Sequence, residues 1–144
     1  MKVFTIGFTK KTAEEFFGAL GKAGVERVVD VRLNNESQLA GFSKRRDLEY
    51  FLKHLLGIEY LHVPSLAPTR ELLGRYRKKE ISWLDYEGRF VELMRERIIE
   101  EQISRDVLQG ACLLCSEELP DRCHRRLVAE YLQRAMGDIE VSHL

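Results

Sequence analysis

The stretch Ala111-Cys112-Leu113-Leu114-Cys115-Ser116-Glu117-Glu118-Leu119-Pro120-Asp121-Arg122-Cys123-His124-Arg125-Arg126 decides the fold. Its apolar opening, Ala111 to Cys115, reads as a buried strand. After a polar loop, Leu127, Val128, Tyr131, Leu132, Ala135 and Met136 recur along one face of a helix that the spacing predicts over about Arg122 to Met136. A strand that feeds directly into an amphipathic helix is the repeating unit of a parallel sheet, and the rest of the chain repeats it.

Val3 to Ile6 is a β-rich run ending at Gly7. Thr12-Ala13-Glu14-Glu15 is a capping box opening a helix with Ala13, Phe16, Phe17 and Leu20 on one stripe, bracketed by Gly21 and Gly24. Val25 to Val31 makes a second strand. Leu48, Phe51, Leu52, Leu55 and Leu56 mark a second helix stopped by Gly57. Ile58 to Val63 is a third strand closed by Pro64, and a third helix covers about Thr69 to Lys79. Ser82 caps a longer helix in which Trp83, Phe90, Met94 and Ile98 face inward, and Ile139 to Ser142 is a last strand. The pattern predicts one α/β domain over residues 1–144, with a mostly parallel five-stranded sheet and helices on both faces in three layers. A Rossmann-like order 3-2-1-4-5 would bring three loops together at the carboxyl edge, where such sheets bind ligands. These are Gly7-Phe8-Thr9-Lys10, Asp30-Val31-Arg32 and Ser116 to Arg122.

The formal net charge is zero, so bulk attraction to nucleic acid or membrane is not indicated. The charges are nonetheless segregated: residues 30–79 carry ten Lys/Arg against six Asp/Glu, and residues 80–121 carry four against eleven. No apolar run approaches the roughly 18 residues of a membrane span, and Met1-Lys2-Val3-Phe4-Thr5-Ile6 reads as a strand rather than a signal peptide. Three cysteines cannot all pair within the chain, so they are expected as reduced thiols in a cytoplasmic protein. The dinucleotide, Walker and nucleophile-elbow signatures are absent. Oligomeric state is not legible.

The chemistry gathers at the last helix. Cys123, His124 and Arg125 fall in its first turn, where unpaired backbone N–H groups and the helix dipole attract anions and lower a thiol's pKa. Cys123 and His124 are therefore the candidate nucleophile and acid/base, pointing about 100° apart around the helix, and Glu117 is the nearby carboxylate. Arg32 and Arg125 are expected to clamp the anion, with Thr9, Asp30, Lys44 and His62 as further ligand contacts. Asp30 and Arg32 share a strand face, and Arg32 should pair with Asp30 or Glu117. Cys112 and Cys115 lie in the apolar strand and read as slow-reacting core thiols. Cys112-x2-Cys115-x7-Cys123-His124 has a soft-ligand composition, but residues 112 and 115 of a regular strand point to opposite faces, so neither metal nor cofactor is expected. The expected partner is an anionic small molecule, a nucleotide or phosphate ester. The alternative is a non-catalytic nucleic-acid or partner-binding module using basic clusters 44–46 and 75–79.

Several motifs together resemble one family. Thr5-Ile6-Gly7-Phe8-Thr9, Asp30-Val31-Arg32, Phe42-Ser43-Lys44, Tyr60-Leu61-His62-Val63-Pro64-Ser65-Leu66-Ala67-Pro68-Thr69 and Leu114-Cys115-Ser116-Glu117 with Cys123-His124-Arg125-Arg126 are similar to the signatures of domain of unknown function family 488. The resemblance spans nearly the whole chain and implies a three-layer α/β fold without implying a reaction. Phe8 stands where many members carry His or Tyr, and Asn35 and Gln38 where many carry Pro and Arg.

Overall fold

The computed structural model describes residues 1–36, 41–117 and 119–144. Among the described residues, five strands form one sheet: β1 (Lys2–Gly7), β2 (Arg27–Asp30), β3 (Glu59–His62), β4 (Ala111–Cys115) and β5 (Glu140–His143). All pairings are parallel and the order is β3-β2-β4-β1-β5. The expected parallel sheet and the β1–β4 pairing are present, but β4 lies between β2 and β1 instead of outside β1. The composition of the strands explains the difference. All five residues of β4 are buried, as suits a strand enclosed on both faces and both edges, whereas β5 is mostly exposed and sits at an edge.

Side chains alternate across the sheet, so each strand feeds two cores. Val3, Val29, Val31, Ala111, Leu113 and Cys115 face one core, against α3 (Arg70–Arg77), α4 (Trp83–Arg97), the short α5 (Arg105–Leu108) and α6 (His124–Met136). Phe4, Ile6, Val28, Tyr60, Cys112 and Leu114 face the other, against α1 (Ala13–Ala23) and α2 (Arg45–Phe51), which continues into a π turn at Leu52–Leu56. Cys112 and Cys115 thus lie on opposite faces, as strand parity requires.

Local chemistry fixes the helix ends. Thr12 Oγ1 accepts from the Glu15 N–H at the start of α1, and Gly24 closes that helix in the left-handed region. Ser82 and Asp85 cap each other's backbone at the start of α4. At its end Ile98 is left-handed, with φ 51°, and 45% exposed, so the expected inward-facing Ile98 gives way to Ile99 as the buried residue. Trp83 is only partly buried, and Tyr86 fills the core one turn on. Ser82→Ala should cost about 1 kcal/mol, which thermal denaturation followed by circular dichroism would read as a fall of about 3 °C.

Candidate functional site

The helix does not begin at Arg122. Cys123 is the N-cap of α6, with extended φ −134° and ψ 139°, and His124 is the first helical residue. The expected 100° separation of helical neighbours therefore does not apply to this pair. One donor atom each of Cys115, Cys123 and His124 lies within 4.8 Å of the others, and all three residues are buried. His124 Nε2 is 2.6 Å from the Val31 carbonyl, which can only accept, so Nε2 carries a proton and Nδ1 faces Cys115 Sγ at 3.5 Å.

The electrostatics divide the three thiols differently from the expectation. Burial opposes ionisation of Cys115. The hydrogen bond from Cys123, the charge of His124 with its hydrogen bond, and the Glu117 backbone N–H outweigh burial and hold the Cys115 pKa well below the thiol range. Burial opposes the His124 imidazolium too, but the Cys115 charge and hydrogen bond, with the Val31 carbonyl, raise its pKa. Burial pushes Cys123 up, and its role as donor to a charged Cys115 pushes it further, against the opposing pull of Arg125. Cys112, in the other core, is raised by burial. The favoured thiolate is thus Cys115, not Cys123, because two neighbouring thiolates repel and Cys123 keeps its proton as the donor to Cys115.

Beside the cluster, Arg32 is nearly fully buried and paired bidentately with Asp30, Nε to Oδ1 at 2.9 Å and Nη2 to Oδ2 at 2.7 Å. Nη2 also donates to the Ser43 carbonyl, and the guanidinium lies over the Phe8 ring at 5.2 Å. Tyr60 donates to Asp30 Oδ2 at 2.5 Å, and burial followed by the Asp30 charge raises its pKa. Burial works against charged Arg32, but Asp30 more than compensates. One guanidinium nitrogen, Arg32 Nη1, is buried with no hydrogen-bond partner among the described residues.

Below the cluster, Arg125 is wholly buried. Its Nη1 donates to the Glu117 carbonyl and lies 3.8 Å from Cys123 Sγ. A Cβ on Gly7 would overlap the Glu117 carbonyl oxygen and stand 2.6 Å from Arg125 Nη1, so only glycine lets the loop after β4 settle on the end of β1. Thr9 clasps the same loop, its N–H 3.0 Å from the Ser116 carbonyl, to which its hydroxyl also donates.

A cleft of about 380 Å³ opens over these residues, where the chain leaves β2 and β4 for opposite faces of the sheet. Arg32, Glu117, Cys115, Cys123 and His124 line it, and so do Tyr76, Arg77, Trp83, Tyr86 and Arg122. The aromatic groups form a contiguous wall, with ring centroids 5.0 to 5.5 Å apart among Tyr76, Trp83 and Tyr86. Asp30, Thr9 and Arg125 stand behind the cleft as supports. His62 Nε2 contacts the Arg32 carbonyl at 2.9 Å. Lys44 caps α2, away from the cleft lining. The reading of residues missed the aromatic wall and counted Arg77 in a basic cluster; their position on the helices following β3 was the available signal. Basic clusters 44–46 and 75–79 lie on and beside α2 and α3, which cover opposite sheet faces. Gln38 and Glu118 lie outside the described residues.

A parallel α/β sheet whose middle strand ends in a thiol, met by a thiol and an imidazole from the following helix start, defines an α/β domain with a Cys/His centre at its carboxyl edge. The model for the domain of unknown function DUF488 matches residues 12–132, and the chain belongs to that family. No curated protein and no solved structure is significantly similar to it. Among the described residues, no helix is long and apolar enough to cross a membrane.

Proposed function

We propose that the chain is an enzyme acting on an anionic substrate, a nucleotide or phosphate ester, held in the cleft beside Cys115, Cys123 and His124. The observation that carries this reading is Arg32 Nη1, a buried cationic donor of a residue that lines the cleft, with no acceptor among the described residues. A guanidinium N–H taken out of water calls for an acceptor, and a phosphoryl oxygen supplies one. Arg77 and Arg122 add charge to the same cleft, and Trp83 with Tyr76 offers a face for a base or other ring. Cys115, Cys123 and His124 then form the reaction centre. Glu117, exposed on the rim, is the carboxylate available for proton transfer. Against the nucleic-acid module, the two basic clusters do not share a sheet face, and Arg77 is better explained by the cleft.

Trp83 is the single tryptophan and lines the cleft, so its fluorescence reports occupancy directly. Titration with inorganic phosphate and with a mononucleotide should change it saturably, and Arg122→Ala should weaken binding about tenfold, the loss of one charge-assisted hydrogen bond. A signal unmoved by either ligand, or equal affinity in Arg122→Ala, would count against the reading.

A further inference from the structure

We propose that Cys115 Sγ, Cys123 Sγ and His124 Nδ1 are three ligands of a zinc ion whose fourth position opens into the cleft. This deepens the reading above by naming the cofactor of the same centre, and rests on it only for what meets the fourth position. Geometry is the first support. In a tetrahedral site with Zn–S of about 2.3 Å and Zn–N of about 2.0–2.1 Å, sulfur and nitrogen donors stand about 3.5 Å apart and two sulfurs about 3.8 Å. Cys115 Sγ and His124 Nδ1 are 3.5 Å apart, and the three donors all lie within 4.8 Å of one another.

The surroundings are the second support. A metal-binding imidazole usually donates its other N–H to a carbonyl or carboxylate, which fixes ring and tautomer. His124 does this through Nε2 to Val31 at 2.6 Å, leaving Nδ1 for the ion. Arg125 Nη1 stands 3.8 Å from Cys123 Sγ, a cationic donor suited to a thiolate. Zinc with two thiolates and a neutral imidazole carries no net charge, which suits three buried residues. Two sulfur donors select a soft ion over magnesium or calcium. Three protein ligands beside a cleft are the pattern of a reactive zinc, its fourth position free for water or a substrate oxygen, while a closed structural site takes four. Cys112 faces the other core and cannot join.

The test is elemental analysis of the full chain purified from zinc-supplemented culture, followed by Co²⁺ replacement. One zinc per chain is expected. Cobalt should give the intense visible bands of tetrahedral coordination with thiolate charge transfer. Cys115→Ser and His124→Ala should lose the metal, and Cys112→Ala should keep it. Should Cys115→Ser fail to fold by circular dichroism, Cys123→Asp, retaining one sulfur, should weaken the charge-transfer band without abolishing cobalt binding. A folded parent chain that takes up no zinc on reconstitution and gives only the weak octahedral cobalt spectrum overturns the proposal, as does zinc loss in Cys112→Ala equal to that in Cys115→Ser. Phosphate titration of Trp83 fluorescence on the same samples separates the two readings. Phosphate binding without zinc removes the ion and leaves the cleft; zinc without phosphate binding does the reverse.

Discussion

Gly7→Ala is expected to destabilise the chain by about 3 kcal/mol or more, because overpacking against backbone has no flexible side chain to yield. The added methyl would meet the Glu117 carbonyl and the buried Arg125 guanidinium, neither of which can retreat without opening the loop after β4. For a chain of 144 residues that corresponds to a fall of roughly 10 °C in Tm. Gly74→Ala, at a half-buried helical position with nothing near the new methyl, is the control and should be neutral or slightly stabilising. Scanning calorimetry of the two variants decides it: equal midpoints would mean that the contact of the loop with β1 is dispensable.

Asp30→Ala should be at least as damaging, by about 3–5 kcal/mol, since removing one partner of a buried ion pair strands the other. Asp30 accepts from the Arg32 backbone N–H, Nε and Nη2 and from the Tyr60 hydroxyl, and both members of the ion pair are almost wholly out of water. Urea denaturation is the measurement. The double variant Asp30→Ala/Arg32→Met should recover much of the loss, because it leaves no buried charge uncompensated. A single variant within about 1 kcal/mol of the parent would show that Arg32 finds another acceptor without cost.

The alternation of strands and helices was legible because each element carries its own periodicity: Phe16, Phe17 and Leu20 on α1, Ala111 to Cys115 on β4. Strand order was not, since neighbours in a sheet are chosen by burial across the whole molecule. The pairing of Arg32 with Asp30 followed from their spacing, and the gathering of loops at one edge followed from parallel topology. The centre itself was only half visible. Cys112 and Cys115 look alike in an apolar run, yet parity sends one into a dry core and leaves the other as the last residue of its strand, where the sheet meets its loops. Cys123 was read inside the first turn of the helix rather than as its cap, and a cap residue in extended conformation aims its side chain differently from a helical one. Trp83 and Tyr86 were hidden because an aromatic stripe along α4 suits a core as well as a ligand wall.

The central position of β4 has a consequence for assembly. Its partners β1 and β2 are both complete by residue 30, but they do not pair with each other and must wait for a strand that begins at residue 111. On a growing chain the sheet can start only as the β2–β3 pair, with β1 unpaired until most of the 144 residues have emerged. Closure of such long loops precedes any reward from the contacts they enable, which slows folding and prolongs the exposure of apolar strand edges. The insertion of β4 joins β1 to the β2–β3 pair and brings Cys115 beside the loop from β2 in the same event, so the first thiol of the chemical centre and the hydrophobic core are acquired together.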